Sequence, residues 1–276
     1  MFRVVFMDVD GTLLDGNHQL SERVRVAIHR LNERHVTMVL ASARMPSGML
    51  TLQRSLGIVT PMICFNGAYV QDSAQFNNPK ILFNRPLSVH DVRQIIGRSR
   101  KFDISVSLYR NDQWYVEDRT TEWVRQEQRI SQCQPLHANF ERRLHGWART
   151  GAGPHKVLCM APPMVLDGLT SNLKASSLPI DVMRSKATYL EIIRKGVSKA
   201  AGAAAILQSL GYTPEDAVAV GDGENDIALI RMAGLGVAMG NASYAVKSAA
   251  DWVTLSNDED GLAIALERCF DLNRFD

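Results

Sequence analysis

Short apolar runs alternate with stretches whose apolar residues recur every three or four positions, and this pattern divides the chain into three parts. In the first, "RVVFMD" (3–8) reads as a buried strand. Residues 21–34 read as a helix with Ser21 as its cap and Val24, Ile28 and Leu31 on one face. "VTMVLA" (36–41) is a second strand. Pro46 opens a helix that turns Met49, Leu52 and Leu56 inward and stops at Gly57. "PMICF" is a third strand ending at Asn66-Gly67. Strand–helix–strand alternation predicts a parallel sheet with helices on both faces.

After Gly67 the period changes. "AYVQD" and "ILFNR" suggest a short hairpin, and Ser88 begins a helix with Asp91 three residues on, as in a capping box. "ISVSLY" and "WYVED" alternate with period two around "RNDQ", as an antiparallel pair does. "KVLCMA", a helix near 163–174 and "IDVMRS" follow. This predicts an α+β domain inserted at 86–184. The opening alternation then resumes: a helix at 198–210 between Ser198 and Gly211, the strand "AVAVGD", a helix at 224–233 and the strand "GVAM". "SYAVKSAA" is read as a helix, "DWVTL" as a strand and 260–268 as a last helix. The expected architecture is α/β: a doubly wound parallel-sheet core, 1–85 with 185–276, interrupted by the insert.

Composition adds exclusions. Of 276 residues 46% are apolar and 22% charged, which is ordinary for a globular chain and argues against disorder. A net charge of +2 gives no pull toward nucleic acid or anionic lipid, and no apolar run has the length of a membrane span. With Arg3 and Asp8 in it, the N-terminal stretch is not expected to be a signal peptide. Cys64, Cys133, Cys159 and Cys269 form no CxxC pair, so neither a zinc site nor a disulfide framework is expected, and a cytoplasmic location fits. The histidines show no paired metal spacing. Trp114, Trp123 and Trp147 read as packing residues of the insert. Nothing in the sequence signals an oligomeric state.

The chemistry gathers at predicted strand ends. Asp8 ends the first strand and Asp222 ends "AVAVGD"; Ser42 follows the second strand and Asn66 the third. In an open parallel sheet, ligand sites lie outside the carboxyl ends of the strands where the strand order reverses. Four distant polar residues are therefore expected at one crevice, although Asn66 before Gly67 also suits an ordinary turn. Asp8, Asp10, Asp222 and Asp226 concentrate negative charge there. Hard oxygen donors without His or Cys point to Mg²⁺. Lys199 is the candidate counter-charge, with Lys195 as its rival; Glu224 reads as a solvent-facing acid at a helix start. A cation and a lysine beside a carboxylate keep it ionised, as a nucleophilic aspartate must be.

"DVDGT" (8–12), the serine of "VLASAR", the lysine of "KGVSKAAG" and "GDGEND" (221–226) resemble, in order, the four motifs of the haloacid dehalogenase superfamily. "CFNGAYV", "GVAMGNA" (236–242) and "SNDEDGLAIAL" (256–266) resemble its Cof-type phosphatases, which carry a large α/β cap between the second and third motifs. The resemblance implies a Mg²⁺-dependent phosphatase acting on a small phosphorylated metabolite, a sugar phosphate or a phosphorylated cofactor. It implies Asp8 as nucleophile forming an aspartyl-phosphate, and Asp10 as general acid and base with its carbonyl on the metal. Ser42 and Lys199 would hold phosphoryl oxygens, with Asn66 and Ala43 in the phosphate-binding loops. Asp222 and Asp226 would serve the metal, and Asn225 the phosphate or a metal-bound water. Gly11 would let the chain turn around the phosphate, and Thr12 would pin that turn. Two positions depart from the family pattern: Ala43 and Ala200 stand where glycine is usual. A phosphomutase and a non-catalytic phosphate sensor or signalling module are the competing readings. The absence of G-x-x-x-x-G-K-[ST] excludes a P-loop kinase.

Overall fold

The computed structural model describes residues 2–72 and 79–272. The chain divides into two compact units. One comprises the residues up to Ala43, Met49–Phe83 and those from Ser198 on; the other comprises Asn84–Val197 with Arg44–Gly48.

The chain opens with β1 (Val4–Asp8), α1 (Glu22–Glu33), β2 (Thr37–Ala41), α2 (Pro46–Leu56), β3 (Met62–Cys64), β4 (Tyr69–Gln71) and β5 (Ile81–Asn84), which lie in the first unit except for the start of α2 and the last residue of β5. The second unit holds α3 (Val89–Ser99), β6 (Ser105–Arg110), β7 (Gln113–Val116), α4 (Glu122–Ser131), β8 (Pro135–His137) and α5 (Phe140–Arg149). It continues with β9 (Lys156–Met160), α6 (Pro163–Lys174), β10 (Ile180–Lys186) and β11 (Tyr189–Arg194). The first unit resumes with α7 (Lys199–Leu210), β12 (Ala217–Gly221), α8 (Ile227–Met232), β13 (Leu235–Ala238), α9 (Tyr244–Lys247), β14 (Trp252–Val253) and α10 (Gly261–Cys269).

The first unit's sheet has the order β14-β13-β12-β1-β2-β3-β4-β5. It is parallel from β14 to β3, and β4 runs antiparallel to β3. β1 lies between β2 and β12, so the chain fills one half of the sheet, returns, and fills the other. Asp8 pairs across to Ala41, and Met7 to Val220. This register brings the residues that follow β1, β2 and β12 to one edge. Val4, Phe6, Val39, Ala41, Ala217 and Ala219 form a buried layer with Ala203, Ile206 and Leu207 of α7. α1 and α10 contact each other and strands β2 and β12, and supply the helical layer outside that cluster. Burial on both faces explains why these strands read as continuous apolar runs.

The second unit is a six-stranded sheet of order β10-β11-β9-β6-β7-β8, antiparallel except between β7 and β8. Leu108, Tyr115, Val157, Cys159, Leu190 and Ile192 project from one face into a core shared with α3, α5 and α6. The pair around "RNDQ" forms as expected, with Asn111 in the left-handed turn conformation. Trp114 and Trp147 are buried, the former stacked on Tyr109 and the latter edge-on to Tyr115; Trp123 is half-buried.

Several local readings differ from the structure. β11 belongs to the second sheet, so this unit extends to Val197, past residue 184. The helix read at 224–233 starts as a 3₁₀ turn at Glu224–Asp226, because the Asp226 carboxylate accepts the Asp222 and Gly223 amides and tightens the chain. Only Tyr244–Lys247 of "SYAVKSAA" is α-helical. α4, β8 and β11 have no counterpart in the sequence reading. β4 and β5 are sheet neighbours, but their connection, 73–78, lies outside the described residues.

Candidate active site

Asp8, the last residue of β1, is buried, as are Ser42 just past β2 and Asn66 just past β3. The Asn66 amide donates to the Ser42 carbonyl at 3.0 Å, tying two of these strand ends together. Asn66 adopts left-handed angles, and Gly67 beside it has φ +103°. A Cβ on Gly67 would fall 2.0 Å from the Ser198 carbonyl, so the turn after β3 reaches the start of α7 only because this residue has no side chain.

Lys199 opens α7 behind Ser198, whose hydroxyl accepts the Ala201 amide. The lysine side chain is completely buried. Its Nζ donates to Asp8 Oδ1 at 2.5 Å and to Asp226 Oδ1 at 2.6 Å. Lys195, the other candidate, is exposed and belongs to the second unit. Asp226 Oδ2 accepts the Asp222 and Gly223 amides at 3.2 and 3.0 Å, which fixes the loop after β12. Asp222 is held by Thr12, whose hydroxyl donates to Asp222 Oδ1 at 2.8 Å. Gly11 has φ +84°, and a Cβ there would lie 2.3 Å from Asp222 Oδ2. The "DGT" turn thus brings β1 and β12 loops into contact that any larger residue would block.

Asp8, Asp222 and Asp226 each offer a carboxylate oxygen within 4.8 Å of the others. Burial, reinforced by the negative charge of Asp226, pushes the Asp8 carboxyl well above the usual carboxylate range, against the opposing pull of Lys199. Burial also raises Asp222, partly offset by the Thr12 hydrogen bond. For Lys199, burial opposes the charge, but Asp226 and Asp8 outweigh it and raise the ammonium above its ordinary value. Three carboxylates therefore face one ammonium, and the site is short of positive charge. Hard oxygen donors in such a cluster fit a divalent cation.

The Asp10 side chain is 45% exposed, and its Oδ1 lies 3.4 Å from His18 Nδ1. Asn225 is half-buried and donates to Asn66 Oδ1 at 2.9 Å, joining two of the expected phosphate-side residues. Ala43 is half-buried beside Ser42, and Glu224 is exposed, as an acid at a helix start is expected to be. Asn241 lies past β13, in the "GVAMGNA" stretch. Its amide donates to the Gly11 carbonyl at 2.9 Å and to Asp222 Oδ2 at 3.3 Å, and its Oδ1 accepts the Asn257 amide. Its position after a parallel strand, at the same edge as Asp222, is the signal that could have included it.

A sheet with this switch point carries buried carboxylates and a lysine at its carboxyl edge, where open α/β sheets bind their ligands. The family model for haloacid dehalogenase-like hydrolases matches residues 5–266, and the chain belongs to that family, in its Cof-type branch. It is 30% identical over 266 residues to a 5-amino-6-(5-phospho-D-ribitylamino)uracil phosphatase of Bacillus subtilis, covering 96% of this chain and 94% of that protein. It is 27% identical to a pyridoxal phosphate phosphatase of Escherichia coli, covering 95% and 96%. A haloacid dehalogenase-like hydrolase from Bacteroides thetaiotaomicron superimposes with a TM-score of 0.86 at 29% identity, covering 98% and 100%. The fold also matches the subclass IIB sugar phosphatase BT4131, with a TM-score of 0.80 at 22% identity over 98% and 99% of the two chains. Among the described residues, no helix is long and apolar enough to cross a membrane.

Proposed function

We propose that the protein is a Mg²⁺-dependent phosphatase that hydrolyses a small phosphate monoester, a sugar phosphate or a phosphorylated cofactor, through an aspartyl-phosphate on Asp8. The observation that carries this reading is the buried Lys199 bridging Asp8 and Asp226, with Asp222 beside them. The curated relatives that act on a phosphoribityl compound and on pyridoxal phosphate support a small phosphorylated metabolite.

Asp8, Asp222 and Asp226, with the Asp10 carbonyl, would hold the Mg²⁺, which when bound neutralises charge on the carboxylates and on the phosphoryl oxygens. An Asp8 oxygen attacks phosphorus as the bond to the ester oxygen breaks. The departing alkoxide takes the proton of the Asp10 carboxyl. Water then attacks the same phosphorus, Asp10 takes its proton, and the bond to Asp8 breaks to release phosphate and restore the carboxylate. The exposure of Asp10 suits this role, because the group must meet both leaving group and water. Lys199 and Ser42 hold phosphoryl oxygens, and charge-assisted donors fixed before the reaction stabilise the charge that develops there. Asn66 and Asn225, already bonded to each other, extend that donor set.

A phosphate-release screen over a panel of phosphorylated metabolites, with and without Mg²⁺, tests the reading. Turnover that requires Mg²⁺ and disappears in Asp8→Asn, with its circular dichroism unchanged, is expected. Turnover retained by that variant overturns the reading.

A further inference from the structure

The segment after β1 carries Asp10 and then turns sharply over 15–19. The Asp15 amide donates to the Gln19 carbonyl at 2.9 Å and the His18 amide to the Asp15 carbonyl at 3.0 Å. Asp15 Oδ1 accepts the Asn17 and Gln19 amides at 2.9 and 2.7 Å. Inside this turn His18 takes left-handed angles, with φ +58°, a conformation that costs energy for most residues and is tolerated by Asn and Gly. The segment after β14 pins the turn from outside. Asn257 Nδ2 donates to the Leu14 carbonyl at 2.9 Å, and Asp258 Oδ1 accepts the Gly16 amide at 2.8 Å. The Asn257 amide also donates to Asn241, which holds the Gly11 carbonyl and Asp222. The turn is thus fixed to the same frame as the acidic cluster.

What this turn presents is an imidazole. His18 Nδ1 lies 3.4 Å from Asp10 Oδ1, and the two side chains are 65% and 45% exposed. A pair so open to solvent adds little to stability. The backbone of His18 is nevertheless held in a costly conformation by four hydrogen bonds within the turn and two from outside it. Strain that the surrounding bonds maintain, at a contact that returns little to the fold, points to an effect on the residue contacted.

We propose that His18 is a positioning residue for Asp10: its Nδ1–H donates to Asp10 Oδ1, fixes the rotation of the carboxyl and leaves Oδ2 as the oxygen that exchanges the proton. The Oδ2–H bond breaks as the departing alkoxide gains its hydrogen, and Oδ2 later takes the proton of the attacking water. An exposed carboxyl without such a partner rotates freely, and only one of its orientations aims the proton at the ester oxygen. A separation of 3.4 Å suits a hydrogen bond of this kind in the unliganded protein, since catalytic hydrogen bonds are often long there and tighten once substrate is bound. The assignment rests on the reading of Asp10 as general acid and base; the turn and its contact stand without it.

The test compares His18→Gly with His18→Asn in the full chain. Both residues accept left-handed angles, so neither variant strains the turn, and only Asn places an N–H donor where Nδ1 stands. The quantity measured is kcat/KM for an alkyl ester, ribose 5-phosphate or glucose 6-phosphate, divided by that for p-nitrophenyl phosphate, whose leaving group needs no proton. His18→Gly is expected to lower this ratio about five- to tenfold, the size of one hydrogen bond, and His18→Asn to hold it within about twofold of wild type. A merely structural role lowers both esters together and leaves the ratio constant, which overturns the proposal; so does an equal fall in the two variants. Side-chain nitrogen NMR at pH 8 provides the second readout. The His18 hydrogen is expected on Nδ1 in the wild type and on Nε2 in Asp10→Ala. Wild-type protein with that hydrogen on Nε2 overturns the proposal. Wild-type protein that releases phosphate from no ester at all counts against the phosphatase reading instead, and the nitrogen spectrum then decides the bond between His18 and Asp10 alone.

Discussion

Replacing Lys199 by Met removes the one ammonium among three carboxylates while nearly preserving side-chain volume. The lysine is fully buried and its two bonds, at 2.5 and 2.6 Å, go to Asp8 and Asp226. Removing one partner of a buried ion pair costs about 3–5 kcal/mol, because the other charge stays behind without compensation. The cost depends on pH. A carboxylate whose folded pKa is raised contributes most stability below its unfolded value and loses it as pH rises through the folded value. Asp8 is already raised above its ordinary 3.8 with Lys199 present, and losing the lysine removes a term that lowers it. The variant can therefore protonate its carboxylates in acid but must bury bare charge at neutral and alkaline pH. Urea unfolding in metal-free buffer should show the full deficit near pH 8 and a smaller one near pH 5. Phosphate release should fall by about 10²–10³, the usual loss for one preorganised donor to a developing charge. A Lys199→Met protein as stable as wild type near pH 8, or a deficit that does not change with pH, would refute this account of the charge balance.

Asp10→Asn should slow alkyl phosphate esters by about 10²–10⁴ while sparing aryl esters in the first step, because an aryl oxide leaves without a proton; a burst of p-nitrophenol in stopped flow checks this. Gly11→Ala should weaken Mg²⁺ affinity by about tenfold or more and cost about 1–3 kcal/mol, since φ is +84° and the new Cβ would strike Asp222 Oδ2; a Mg²⁺ titration of activity and a melting curve measure both. His155 is held neutral between Asn84 Oδ1 and the Asn111 amide, with burial driving its pKa down to about 3 from 6.5. Its contribution is intact above pH 6.5 and is lost as pH falls from there toward 3, at about 1.4 kcal/mol per unit. His155→Gln should flatten that acid limb in urea titrations, and an unchanged slope would contradict the assignment.

Much of the first unit was legible along the chain because its elements declare themselves locally. Strands buried on both faces read as apolar runs, and α1, α3 and α7 carry Ser21, Ser88 and Ser198 as caps at the positions read from sequence. Asp8, Ser42, Asn66 and Asp222 stand at strand ends or within two residues of them, so a parallel topology was enough to send them to one edge. The second unit was harder. α4 buries only Val124 and Glu127, too few apolar positions to print a helical period, and β8 has three residues with one buried. β11 was missed because Glu191 interrupts "YLEIIR" with a buried charge, which pairs with Lys156 of the neighbouring strand.

The sequence by itself determined the alternation of elements, the acidic residues at strand ends and the family they resemble, since each depends on residues adjacent or a few positions apart. The two bonds of Lys199 to Asp8 and Asp226, the pairing of Asn225 with Asn66, and the place of Asn241 on Asp222 were decided only by tertiary structure. Those are contacts between segments as far apart as 191 positions, as between Asp8 and Lys199, and their geometry follows from strand order and the close approach of loops, which no local pattern encodes.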